Sequence, residues 1–301
     1  MPNIPPELAL PIPANIAFQT GPLLLGNLFS YGLLGVLCMQ VYIYRISFSR
    51  DQLSLKLLVW VIFSVDIIIA SLSTIDGWNT FGSGWGDLSV LAPINWRTAV
   101  LPILSGLVSF CVHVFFCWRM WVLRAFYVVP VVIFMASLAQ WGLACFCGIY
   151  SLELGIERIS ELEPFVLACL GVASFCDLLI TVTMIQILFQ SGSESAFKGT
   201  TSLTDKGIRL IVETGMAVCA IALLELVLFI IFPGNNIRYI PFLMLSKMDS
   251  ITLLAILNSR SWTMSPPVLE TLTAELWDNR PPPSDHLNTI EESLYIFNGR
   301  A

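Results

Sequence analysis

The sequence predicts an all-α membrane protein: a bundle of seven transmembrane helices, with the N-terminus outside and the C-terminus in the cytosol. Three observations carry that expectation. Of the 301 residues, 56% are hydrophobic and only 12% are charged, about half the ~25% charged content of soluble domains. Mean hydropathy is +0.79, too high for a chain that keeps a solvated surface on all sides. Seven separate apolar runs also reach the ~20 residues needed to cross a bilayer.

The elements follow in order. Residues 1–21 hold five prolines, one Glu and no Lys or Arg. The basic start of a signal peptide is therefore missing, and the first apolar run is expected to remain as a span. That run, 22–44, stops at Arg45. The second, 57–75, lies between Lys56 and Asp76 and is the most diluted, by Ser64, Asp66, Ser71, Ser73 and Thr74. The third, 100–118, follows Arg97 and ends at Arg119; the fourth, 125–149, follows Arg124. A Glu-rich stretch, 153–163, precedes the fifth run at 164–188, and a polar stretch from Gln190 to Lys206 precedes the sixth at 208–232. Pro233-Gly234-Asn235-Asn236 separates the sixth from the seventh, 238–257. Helices are the choice for every run, because backbone groups in lipid need internal partners and barrel strands would alternate in polarity. The chain thus divides into an outer segment 1–21, a membrane domain 22–257 and a cytosolic tail 258–301. Within the tail, Val268, Leu269, Leu272, Leu276 and Trp277 recur at helical spacing before Pro281-Pro282-Pro283, the pattern of a short amphipathic helix. No internal repeat is evident.

Basic residues set the orientation. The first, third and fifth loops and the tail carry Arg45, Arg50, Lys56, Arg119, Arg124, Lys198, Lys206, Arg209, Arg260, Arg280 and Arg300. The N-terminal segment and the even loops carry only Arg97, Arg158 and Arg238, and Lys247 is inside a span. Such a bias places the odd loops and the tail in the cytosol. Trp60, Trp118 and Trp121 then fall at the inner surface, with Trp78, Trp85 and Trp96 in the outer second loop, as interfacial aromatic belts require. The net charge of −6 gives no basic footprint for nucleic acid. Gly82-Ser83-Gly84-Trp85-Gly86 lacks the strand, helix and lysine of a phosphate loop. All eight cysteines lie in apolar runs, where they read as small core residues. No Asn-x-Ser/Thr acceptor occurs.

Several quoted stretches carry a family resemblance. Gly21-Pro22-Leu23-Leu24-Leu25-Gly26 opens the first span and Gln40-Val41-Tyr42-Ile43-Tyr44 closes it. Asp51, Leu55-Lys56-Leu57-Leu58-Val59 and Asp66 continue the pattern, followed by Phe115-Phe116-Cys117-Trp118-Arg119-Met120 and Leu253-Leu254-Ala255-Ile256-Leu257-Asn258-Ser259-Arg260. Over residues 20–260 the chain resembles the large seven-span family of basidiomycete fungi that carries a domain of unknown function. The resemblance implies architecture and fungal origin and no activity. Two positions depart from it: Ile69 stands where a His is often found, and Met248-Asp249 follows Lys247 in place of Leu-Tyr.

Seven titratable side chains fall inside the spans: Asp66, His113, Asp177, Glu213, Glu225, Lys247 and Asp249. An unpaired charge at a span centre costs ~3 kcal/mol on insertion scales, so five acids would cost about 15 kcal/mol, as much as a whole domain's stability. They must be paired, protonated or hydrated. Glu213 is one turn from Arg209 and reads as an interfacial pair. Asp177 shares a helix face with Ser174 and Thr181, the pattern of an interhelical hydrogen-bond seam. Glu225 has only Leu, Ala and Ile beside it, so a protonated acid, a pathway residue and a structural one all stay open. His113 has no second histidine in the membrane with which to build a zinc site. Lys247 lies at the depth of Asp66, and a Lys247–Asp66 pair across the bundle is expected; Asp249, two residues on, points to another face. A buried seventh-span lysine also fits a Schiff base, with nothing else to support a chromophore.

Four functions compete. Seven spans with an outer N-terminus match receptors or sensors, although Cys117-Trp118-Arg119 is not the Asp-Arg-Tyr of animal receptors. The acid excess favours a proton, cation or small-solute transporter or channel. The tail favours a scaffold that docks a cytosolic partner. An enzyme is not expected, since no nucleophile–base set emerges, and neither cofactor nor metal is implied. The sensor reading leads on topology, with the lipid bilayer as the one sure partner, plasma membrane or endomembrane alike, and the ligand unknown.

Overall fold

The computed structural model describes residues 16–49, 51–84, 96–122, 128–154, 161–195, 201–232 and 235–264; the side chains of 154, 188–195, 201–212 and 261–264 lie outside the description. Seven helices are long and apolar enough to cross a membrane, and no strand occurs among the described residues. They are α1 (Ile16–Ser47), α2 (Leu53–Trp78), α3 (Trp96–Val122), α4 (Val128–Leu154), α5 (Glu163–Ser195), α6 (Thr201–Ile231) and α7 (Tyr239–Met264). A π-helical turn, Asn79–Ser83, prolongs α2, and a 3-10 turn, Asn236–Arg238, leads into α7. The chain divides into two units, Met1–Arg260 and Ser261–Ala301; the contacts below belong to the first. The expected tail helix at 268–277, Trp85 and the partner Arg209 of Glu213 fall outside the described residues or side chains.

Most helices outrun the apolar stretches that announce them. With 26 to 33 residues they are about 40–50 Å long, against ~30 Å of hydrocarbon. Hydropathy marks only the lipid-contacting middle, and polar turns continue the helix into the interface. α1 therefore starts at Ile16 and not at 22, running through Pro22. The hydroxyls that dilute the second run bond to their own helix: Ser71 donates to Ile67 O, and Ser73 and Thr74 both donate to Ala70 O. That is how such side chains tolerate a helix interior in lipid.

Consecutive helices α1 to α6 pack as neighbours, with α3 also meeting α5. The helix before the tail is different. In α7, 78% of the apolar window is buried, against 22–50% in the other six. Every residue from Ile251 to Leu257 is buried. This is also among the least apolar of the seven, since its polar groups face protein and the more apolar helices face lipid. Leu24, Leu28, Met39, Leu57 and Val128 are examples of the large apolar side chains left exposed, which in a bilayer is contact with acyl chains. Trp60, Trp118 and Trp121 are exposed near one end of the bundle, and Trp78 and Trp96 near the other.

Close helix approaches depend on glycine. A Cβ on Gly148 of α4 would sit 2.5 Å from the Ala99 carbonyl oxygen of α3. A Cβ on Gly26 of α1 would sit 3.0 Å from the Tyr239 carbonyl oxygen. Small residues at such crossings are what membrane helices use in place of a hydrophobic driving force.

Candidate functional site

The candidate site is a buried polar network in the middle of the bundle, to which α2 through α7 all contribute. Asp66 of α2 is fully buried. Its carboxylate accepts from the Ser246 hydroxyl at 3.1 Å and the Ser250 hydroxyl at 2.5 Å, both on α7. Those serines are one turn apart and therefore share a face. The Lys247 ammonium lies 4.0 Å from Asp66 Oδ1, with both side chains fully buried. Nζ makes no hydrogen bond among the described residues, so the pair is held by charge with the hydrogen bonds to Asp66 supplied by serines.

Asp249 is about 200° further round α7 than Lys247 and faces α3, where the Ser109 hydroxyl donates to its Oδ2. One turn along α3, His113 is buried between two helices. Its Nε2 lies 3.0 Å from Asp177 Oδ1 of α5 and its Nδ1 lies 2.8 Å from Ser137 Oγ of α4. A carboxylate only accepts, so Nε2–H faces Asp177. The Ser174 and Thr181 hydroxyls flank Asp177 and donate across to α6, to Ala222 O and Gly215 O, each at 3.2 Å. The seam read from the sequence is thus formed by the two hydroxyls, while Asp177 turns away from it to α3.

Glu225 of α6 is 4% exposed, and its Oε2 has no hydrogen-bond partner among the described residues. The Arg238 guanidinium acts on it electrostatically, as do Asp177 and Asp249. Arg238 itself lies over the Phe229 ring at 4.7 Å, one turn beyond Glu225. Among the described residues, four buried carboxyls, Asp66, Asp177, Glu225 and Asp249, face two buried cationic groups, Lys247 and His113, and the Arg238 charge that acts on Glu225. At least one carboxyl therefore needs a proton or a further cation. Glu213, by contrast, is exposed and stands apart from this set.

Both ends of the network are tied by polar clasps that the sequence reading missed. Arg260, at the end of α7, donates to Asp51 Oδ2 at 2.7 Å and stacks over the Phe48 ring at 4.5 Å. The Tyr44 hydroxyl donates to the same carboxylate at 3.0 Å, and Asn258 donates to the Gln40 carbonyl of α1 at 2.9 Å. Burial pushes the Asp51 carboxyl up, but the hydrogen bonds from Arg260 and Tyr44 and the Arg260 charge outweigh it and hold the group below its ordinary value. At the opposite end, Arg97 donates to Asp76 at 2.6 Å, and Asn236 donates to the Gln19 carbonyl at 2.9 Å. The available signal was depth: Asp51 and Arg260 flank span ends that topology puts on one side.

Residues 173–262 match a family of unknown function, DUF6534. The matched segment runs from within α5 into the last turn of α7 and takes in Asp177, Glu225, Lys247, Asp249 and Arg260, while Asp66 and His113 lie before it. No curated protein matches the chain, and no solved structure does.

Proposed function

We infer that this chain is a receptor- or sensor-like seven-helix membrane protein, its N-terminus outside and its tail in the cytosol. The enclosure of α7 is the observation that supports this reading. One helix is fixed at mid-depth to α2 through Asp66 and to α3 through Asp249, and at its Arg260 end to α1 and the α1–α2 connection. A shift of α7 in response to a signal at the Tyr239 end has to rearrange those buried bonds together, which is the kind of two-state element that receptors use. In this reading the chain is no enzyme, and a cytosolic partner engages residues 258–301. The likeness to basidiomycete seven-span proteins supports the architecture and leaves the signal open.

A second reading, a proton, cation or small-solute transporter or channel, is favoured by the charge array of Glu225, Asp177, His113 and Asp249, which act on one another electrostatically. One experiment separates the two. Purified protein is reconstituted in vesicles, and pH-driven flux and current are measured for wild type beside Glu225→Gln. The sensor reading expects folded protein with no flux. Robust flux in wild type that is lost in the variant would replace it with the transporter reading and make Glu225 a pathway residue.

A further inference from the structure

Arg119 is a partly buried base without an acid. It lies in the last turn of α3, between the exposed Trp118 and Trp121. Those indoles mark the headgroup level of the bilayer at that end. Among the described residues Arg119 makes no hydrogen bond or ion pair, and the charge that acts on it is a like one, the Arg260 guanidinium at the end of α7. Every other partly buried arginine among the described residues has a counter-charge. Arg97 has Asp76, Arg238 has the Glu225 charge, and Arg260 has Asp51.

Neighbouring guanidiniums repel, and partial burial weakens the screening that would otherwise mask the repulsion. Asp51 relieves it only for Arg260, because its oxygens are taken by that side chain and by the Tyr44 hydroxyl. Arg260 is also fixed in place: its Nε donates to Leu257 O, and its guanidinium is stacked over Phe48. Two guanidiniums less one carboxylate leave a single positive charge at the surface of the bundle. The exposed Arg45 and Lys56, which donates to Ser49 O, add to the positive potential at the same end.

We propose that Arg119 and Arg260 form a binding site for the phosphate of an acidic phospholipid, in the leaflet at the Arg260 end of the bundle. A guanidinium fork matches the oxygens of a phosphate, and it is weakly enough hydrated to meet one at a partly buried position. A phosphodiester carries one negative charge, the amount this cluster lacks. Phosphatidylcholine has the same phosphate, but its trimethylammonium brings a cation toward two arginines. Anionic lipids give the cytosolic leaflet its negative surface, and that is the side on which the basic end is expected. The site stands whether the protein senses or transports, so the flux experiment and this one fail independently.

The test uses the full chain in nanodiscs of phosphatidylcholine, alone or mixed with phosphatidylglycerol, at equal ionic strength. Both leaflets carry the same lipid, so the outcome does not depend on which face is cytosolic. Phosphatidylglycerol at about ten times its effective Kd raises the wild-type Tm by about 3 °C. Arg119→Gln loses that shift, and Arg45→Gln keeps it. In phosphatidylcholine alone Arg119→Gln unfolds at or above the wild-type temperature, since it removes a repulsion and no partner. If it does not fold, Arg119→Lys carries the test: the charge stays, the fork goes, and about half of the shift or more is lost. Equal wild-type Tm in the two lipids means that the arginine pair is answered from within the chain, and overturns the proposal. A shift undiminished in the Arg119 variant places the lipid elsewhere, and one lost equally in Arg45→Gln is diffuse surface charge; either overturns it. Inorganic phosphate added to phosphatidylcholine nanodiscs separates the two sources of phosphate. No shift is expected from it, and one as large as with phosphatidylglycerol would give the site to a soluble phosphate and overturn the lipid.

Discussion

Removing one member of a buried ion pair leaves the other charged and unsolvated, and that asymmetry decides what substitutions at Lys247 and Asp66 do. Lys247→Met leaves Asp66 with two serine donors and no counter-charge, which costs about 3–5 kcal/mol. In Lys247→Met with Asp66→Asn no charge is stranded, so the double variant is expected to be more stable than the sum of the singles by at least about 1 kcal/mol. Unfolding of all four proteins in one lipid or detergent measures this, and additive losses would show that the two side chains do not act as a pair. Equal depth in the sequence makes these two residues candidates for each other, because span position translates directly into height in the membrane. His113 is not legible in the same way. Its partners Ser137 and Asp177 depend on how α3, α4 and α5 are rotated about their own axes, which span position does not encode. Asp177 shows the limit: its shared face with Ser174 and Thr181 was visible, and the structure aims the two hydroxyls at α6 and the carboxylate at α3.

Among the elements, α7 is the one whose behaviour the clasp around Arg260 controls. The sign of its pH dependence follows from Asp51, whose carboxyl is held below its ordinary value. The stabilisation is fully present above the unfolded carboxylate value, about 3.9, and is lost as pH falls through the lower folded value. Asp51→Asn is therefore expected to lower Tm at pH 7, and the gap to wild type should close as pH falls below about 4. Arg260 is 38% exposed, so the pair is screened and the shift small; a gap independent of pH would mean that the carboxylate charge plays no part. Why the clasp escaped the sequence reading is itself physical. Asp51 and Arg260 look like ordinary interfacial charges, and their pairing needs α7 to lie beside α1, a closure of the bundle that no local pattern states. The existence of seven helices was legible because each apolar run declares itself alone. Their ends were not, since polar turns carry a helix beyond the lipid without an apolar signature.

For the whole molecule, the decisive asymmetry is charge at the two faces. Arg45, Lys56, Arg119 and Arg260 belong to the end where α1, α3 and α7 finish, while Arg97 and Arg238 belong to the other. Each of the latter is engaged locally, Arg97 by Asp76 and Arg238 against Phe229. Basic residues resist translocation during insertion, so the first face is expected in the cytosol, with Glu225 and Arg238 in the outer half. Epitope tags on each terminus of the full chain measure this in intact cells. The N-terminal tag should bind antibody without permeabilisation and the C-terminal tag only after it. The reverse pattern would place the Arg260 clasp outside, remove the cytosolic tail as a docking element, and with it the ground for reading α7 as a helix that carries an outer signal inward. Neutralising Arg119 and Lys56 together then becomes the sharper probe. If the basic face holds the orientation, that double variant yields a mixed population of tag accessibility, whereas a topology fixed by the helices themselves stays uniform.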